Sequence, residues 1–448
     1  MLFTYSSGRF LYNEQTRLTE RRVPFNIRAL NDAIANSITG HGAVKSLTKL
    51  SEGGFNRVLL ATMEDGFRAI VKIPYSIAVP KKYATASEVA TLTFLRSKGI
   101  PVPARSTGGR AQPRTPSGSS TSSWNTSRAS GPIRSGTDPT KYLLAVAEKE
   151  IKWVEKFGKP IESEFPHNTV FPGFRSPTDY LGLLKKYPQI APYLLPKGSP
   201  NLSRPVLRHP DLTPSNIFID PTSFKVTSII DWQHSAITPF FLTAGDPRLF
   251  ENPDAELPAG LDAPKFPDNY NTLPAEEKAQ ADELLRRQTL FYLYRVFNGG
   301  LNKVHLEALR DPLRLQRQEI VDLAGRQWSG NIISLRRALM RMRQVWPYLV
   351  GKDSDSNANI ECPIDFSEAE VRDQAEKEEM WYNLNKLVAH WREELRGLSE
   401  EGWIPDERYE AAVQRNEELK AEFADGGSPD ELEKIERGWP FQDREEFF

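Results

Sequence analysis

Between Arg208 and Gln233 the chain reads RHPDLTPSNIFIDPTSFKVTSIIDWQ. Asp211 and Asn216 stand five residues apart. Asp231 follows two apolar runs, Ile217 to Ile219 and Phe224 to Ile230, separated by the turn residues Asp220-Pro221-Thr222-Ser223. Apolar runs around an Asp-Pro turn predict a β-hairpin. A hairpin brings its ends together, so Asn216 and Asp231 are expected side by side, with Asp211 on the loop just upstream. One carboxylate that can accept a proton, beside two oxygen donors suited to Mg²⁺, is the equipment of phosphoryl transfer. In that chemistry the protein supplies position and charge rather than covalent bonds. The competing reading is an ordinary Asp-Pro turn among solvated acids. The HxDLxxxN spacing, followed by an apolar hairpin that ends in Asp, favours the site.

A second group of residues must face the phosphates. Val44 to Leu50 and Val58 to Met63 read as strands joined by Ser51-Glu52-Gly53-Gly54-Phe55-Asn56-Arg57. Glu64-Asp65-Gly66 is a tight turn into a third strand, Phe67 to Ile73, which carries Lys72. A glycine pair lets backbone approach phosphate oxygens, and a lysine on the third strand neutralises them. Alone, Gly53-Gly54 is a plain hairpin loop and Lys72 an edge-strand lysine. The apolar neighbours Ile70, Val71 and Ile73 point instead to a covered lysine that needs a partner. Glu88 supplies one, in the first turns of a helix expected over Glu88 to Ser97 and stopped by Gly99. Its other reading is a carboxylate favoured at the positive end of the helix dipole.

The remainder of the chain must hold these groups. The 448 residues allow two or three lobes, and 58 basic against 59 acidic side chains, net −1, point to no nucleic-acid or membrane surface. The single cysteine, Cys362, excludes an intrachain disulfide framework and fits a reducing compartment. The six histidines make no zinc spacing with it. No apolar run has the length of a membrane span. The first residues hold no apolar signal core, and Glu14 and Glu20 among the arginines make a poor mitochondrial presequence. Helices are expected over Asn26 to Ser37, Tyr142 to Phe157, from Ser176 through Leu184 and Tyr187, over Pro274 to Leu301 closed by Gly299-Gly300, within Leu306 to Val350, from Ser367 to about Arg396, and over Glu407 to Phe423. Ile100-Pro101-Val102-Pro103 reads as the start of a strand, Phe240 to Leu249 as irregular, and the Glu/Lys-rich tail as a solvated helical extension.

Residues 105–136 break the pattern. They are almost wholly Ser, Gly, Arg, Thr and Pro, with no Asp, Glu or Lys. Composition alone reads as a disordered linker. The codons suggest otherwise. Read one nucleotide earlier, the codons of Thr121-Ser122-Ser123-Trp124-Asn125-Thr126 can spell an apolar residue followed by Ile-Met-Glu-His, a strand suited to an interlobe hinge. The segment is therefore read as a frameshift or mis-spliced exon, which sequencing of the transcript decides.

Together these residues carry a resemblance. HPDLTPSN followed by IIDWQ, with SEGGFNRV, the Lys72 strand and the Glu88 helix upstream, resembles the aminoglycoside phosphotransferase (choline-kinase-like) superfamily. SSGRFLYNE, LSEGGFNRV, TASEVATL, RHPDL, NIF and IIDWQHS are similar to the fungal group around altered inheritance of mitochondria protein 9. The likeness covers most of residues 3–104 and 139 to about 420. It implies an α+β, protein-kinase-like two-lobed fold: an antiparallel-sheet N-lobe at 44–104, a mainly helical C-lobe at 139–350 and a helical extension at 351–448. Residues 1–43 form an N-terminal extension, and 105–138 replace the hinge. By resemblance Asp211 is the catalytic base and Asn216 and Asp231 hold Mg²⁺. Lys72, paired with Glu88, contacts the phosphates of ATP beneath the Gly53-Gly54 loop, and His209 buttresses the catalytic loop. The partner implied is a small-molecule hydroxyl acceptor, and the location mitochondrial, with the cytoplasm as alternative. The chain departs from the family at Pro210, where Gly is usual, at Thr213, where many relatives have His, and in its missing hinge. The alternative function is a non-catalytic kinase-fold protein that binds a nucleotide or a partner, linked to mitochondrial maintenance. A protein Ser/Thr kinase fits less well, since Trp232-Gln233 replaces Phe-Gly and no Ala-Pro-Glu segment follows.

Overall fold

The computed structural model describes residues 2–77, 81–103, 138–254, 258, 260–351 and 360–444. Val44–Glu52, Asn56–Met63 and Arg68–Pro74 pair in chain order as a three-stranded antiparallel sheet. The central strand alternates strictly, with Arg57, Leu59, Ala61 and Met63 buried and their neighbours half-buried. Such period-two burial is what a strand covered on one face requires. The cover is the helix Ile27–Ser37, begun by the Asn26 side chain, which accepts from the Ala29 N–H at 3.0 Å. Its Ile34 packs on Ala61 and Met63, with Leu30, Leu47, Ala69 and Val71 around them. Since Ala69 and Val71 serve that face, the alternation turns Lys72 to the other.

The helix Lys81–Ser97 follows the sheet. It starts earlier than the sequence predicts, so Glu88 lies about two turns in, out of reach of the helix-dipole reading. Ile100 to Pro103 is not a strand. Two prolines remove its N–H donors, and the Ile229 N–H of the neighbouring strand Val226–Ile229 donates to Pro101 O at 2.8 Å.

The second lobe is mainly helical. Pro139–Phe157, Pro177–Leu184, Arg314–Ala324 and Ile333–Gln344 share one core, in which Leu143, Leu184, Tyr187, Ile320 and Leu339 are fully buried. Each such side chain contributes roughly 1.5–3 kcal/mol. The fold is α+β and two-lobed in the protein-kinase-like manner, a small antiparallel-sheet lobe beside a mainly helical one. Between the lobes sits a small cluster of Leu92, Leu95, Val102 and Trp232, flanked by Leu207 and Ile229. The low-complexity segment lies outside the described residues apart from Asp138, whose side chain caps the Pro139–Phe157 helix through the Thr140 N–H at 2.9 Å.

Three further expectations are corrected. Gly299 and Gly300 do not close their helix; it runs over Ala275–Leu301 and ends at Asn302, whose side chain starts the next helix, Lys303–Arg310. Phe240–Thr243 is a short helix, not irregular chain. The tail is not a solvated extension. Glu368–Glu394, Tyr409–Ala424 and Pro429–Gly438 enclose a second core of Trp391, Leu395, Ile404, Leu419, Trp439 and Phe441, joined by Tyr12 and Phe165. The N-terminal pair Arg9–Phe10 adds a strand to Trp403–Ile404 of that tail.

Candidate functional site

The hairpin forms as its sequence predicts. Ile217–Ile219 pairs with Val226–Ile229, and the turn is held by Asp220 Oδ1, which accepts from the N–H groups of Thr222 at 3.1 Å and Ser223 at 2.7 Å. At its open end Ile217 faces Ile229, and the Ile230 N–H donates to Asn216 O at 2.9 Å. Asn216 is thereby brought beside the strand end that leads into Asp231. Its Nδ2 donates to Asp211 O at 2.9 Å, tying it back to the loop.

His209 lies between the Asp211 loop and the strand end that leads into Asp231. It is buried, its Nδ1 accepts from the Asp211 N–H at 3.1 Å, and its Nε2 lies 2.7 Å from Ile230 O. A ring that accepts at Nδ1 carries its proton on Nε2, so the second contact is a donated bond. One imidazole thus fixes the residue before Asp231 and the backbone of Asp211 together. The Asp211 carboxylate is exposed, with no hydrogen bond among the described residues.

Lys72 reaches this group from the other lobe. Its Nζ lies 3.0 Å from Glu88 Oε1 and 2.9 Å from Asp231 Oδ1. The predicted Lys72–Glu88 pair is present, and Asp231, 159 positions from Lys72, is a third member that no local pattern points to. Burial works to lower the Lys72 ammonium, but the Asp231 and Glu88 carboxylates outweigh it and hold its pKa above the ordinary lysine value. Lys72 is partly covered rather than fully buried.

The glycine loop closes on itself, the Gly53 N–H donating to Asn56 O at 2.9 Å. Neither glycine needs a left-handed backbone, and a Cβ added at Gly54 would meet nothing within 4 Å. The chain itself makes no demand for glycine here, and the space beside the loop is open.

Three contacts were missed at the sequence level. The Arg208 guanidinium donates to the carbonyls of Thr243 and Gly245, anchoring the start of the Asp211 loop to the Phe240–Thr243 helix and its exit. The Asn56 Nδ2 donates to Gln233 Oε1 at 2.8 Å, and the rings of Phe55 and His234 meet edge-on at 5.9 Å. Gln233 and His234 both contact the sheet lobe. Asn56 and Gln233 stand 177 positions apart, so no local pattern could pair them.

The residues present suit a magnesium ion. Asn216 Oδ1 and Asp231 Oδ2 have no partner among the described residues and are hard oxygen donors. Among the described residues no group of three His, Cys, Asp or Glu side chains could hold a metal. Two protein oxygens completed by phosphate and water is the usual arrangement for this ion.

No protein-family model matches the chain. It is similar to a subtelomeric hrmA-associated cluster protein of Aspergillus fumigatus, 27% identical over 89% of this chain and 97% of that protein. That alignment, 510 positions, is longer than the 448-residue chain, so the relative carries stretches with no counterpart here. It is also similar to the mitochondrial altered inheritance of mitochondria protein 9 of Kluyveromyces lactis, 24% identical over 50% of this chain and 34% of that protein. The same-named protein of Saccharomyces cerevisiae is 23% identical over 51% and 35%. Among solved structures, a macrolide 2'-phosphotransferase type I aligns with 70% of this chain and 95% of its own at 17% identity, with a TM-score of 0.24, too low to bear on the argument.

Proposed function

We propose that the chain is an ATP- and Mg²⁺-dependent phosphotransferase acting on a hydroxyl-bearing small molecule. One observation carries the reading: Asp211, Asn216 and Asp231 are gathered at the mouth of one hairpin, and Lys72, oriented by Glu88, reaches Asp231 from the opposite lobe. Asp211 accepts the proton of the acceptor hydroxyl as its oxygen bonds to the γ-phosphorus and the bond to the β-phosphate oxygen breaks, releasing ADP. His209 keeps Asp211 in place without taking part in the proton transfer. Lys72 and the Gly53-Gly54 loop meet the negative charge of the phosphates, where fixed charge and backbone lower the barrier by being positioned beforehand. When bound by Asn216 and Asp231, Mg²⁺ supplies charge neutralisation. The resemblance to proteins with mitochondrial names supports a mitochondrial location.

The test is ADP release from Mg-ATP across a panel of sugars and amino alcohols, for the wild type and Asp211→Asn. The expected result is that a hydroxyl compound stimulates release and that the variant loses about a hundredfold or more of this rate while still binding nucleotide. Nucleotide binding without transfer to any hydroxyl would favour the non-catalytic alternative.

A further inference from the structure

Asp231 and His234 both adopt left-handed backbone, each with φ of 62°. Non-glycine residues take this conformation uncommonly, Asp and His more readily than most, and here two do so within four positions. Between them Trp232 is fixed inward. It packs with Leu92, Leu95 and Val102, its indole N–H donates to Ile229 O at 3.1 Å, and its ring stands 4.5 Å from that of His209. With Trp232 anchored, the flanking residues reach the sheet lobe at three points. Asp231 accepts from Lys72, Gln233 accepts from Asn56, and His234 meets Phe55. Phe55 and Asn56 are the residues that follow Gly53-Gly54. Gln233 is buried while Phe55 is exposed, so the amide pair is the covered member of the loop's attachment.

We infer that Gln233 is a positioning residue: through Asn56 it latches the glycine loop to the segment bearing Asp231, so that loop and carboxylate keep one spacing. Its value to nucleotide binding rests on the phosphotransferase reading, but the latch itself does not. Two amide side chains form the bond, so an alanine at either end removes it, and removing both adds nothing further.

Hydrogen–deuterium exchange of the full chain without nucleotide tests this. In Gln233→Ala and in Asn56→Ala, amides of residues 53–57 should exchange about fivefold faster, and the double variant should match the singles. Peptides from the Glu368–Glu394 helix should be unchanged, which guards against general unfolding. Asn56→Ala lies outside the core and keeps the test usable if Gln233→Ala folds poorly. Unchanged exchange in the loop, or additive effects, would overturn the latch. Mg-ATP affinity, measured on the same proteins, separates the two claims. If exchange responds but the wild type binds no nucleotide, the phosphotransferase reading fails and the latch stands. If the wild type binds and the loop does not respond, the latch fails alone.

Discussion

Lys72 and His305 show how single residues set the response to pH. The Lys72 ammonium is held above its ordinary value, so its own charge stays in place from neutrality up to about pH 10.4, and the stability this adds is lost as pH rises through the higher folded value. It contributes no pH dependence near neutrality. His305 behaves oppositely. Its burial, with Arg208 and Arg314 nearby, lowers the imidazole to about 4, and its Nε2 lies 2.7 Å from the Tyr294 hydroxyl. Above pH 6.5 it is neutral in both states and favours neither. Between pH 6.5 and 4 the unfolded chain takes up a proton that the folded chain refuses, so stability falls, by roughly 3 kcal/mol when complete. Urea unfolding of the wild type and His305→Gln at pH 7 and pH 4.5 should show the variant losing less stability on acidification. An equal loss in both would contradict the assignment.

At the scale of elements, the tail is where sequence and structure part most. Its Glu and Lys spacing predicts helices, and Ser367 does cap one with Glu370 in a reciprocal box. Charge spacing says nothing of which apolar residues from distant segments meet, and the second core needs Tyr12 and Phe165 as well as the tail. Trp439→Ala should therefore cost about 3–5 kcal/mol, read by chemical denaturation; a change below about 1 kcal/mol would mean a tail that is merely solvated. The Ile217–Ile229 hairpin was legible for the opposite reason. Its turn, apolar runs and both polar ends lie within one continuous stretch, so local rules suffice. The Lys72 strand and the Glu88 helix were legible too, being adjacent in the chain. The helix start at Lys81 was not, because Lys81-Lys82-Tyr83 has no capping residue of the usual type. Nor were the Arg208 anchor and the Asn56–Gln233 bond, whose partners are set by how the lobes meet.

At the scale of the whole molecule, the two lobes are tied at the site itself. Trp232 packs beneath the Lys81–Ser97 helix, and Lys72, Asn56 and Phe55 reach across to Asp231, Gln233 and His234. Behind the glycine loop, Arg57 is wholly buried. It donates to Glu52 at 2.9 Å and to the carbonyls of Leu2 at 3.0 Å and Arg21 at 3.3 Å. Arg21 in turn pairs with Glu401 of the tail. The sheet lobe is thus braced from the site side by the helical lobe and from the outer side by the chain's two ends. On the proposed function, such bracing would keep the spacing between the glycine loop and Asp231. The central claim is that these parts form one Mg²⁺-dependent nucleotide site, and titration calorimetry of ATP against the full chain tests it most directly, with and without Mg²⁺ and with Asp231→Ala. The account predicts binding that requires Mg²⁺ and weakens by about tenfold or more in the variant; no binding by the wild type, or binding indifferent to both Mg²⁺ and Asp231, would contradict it.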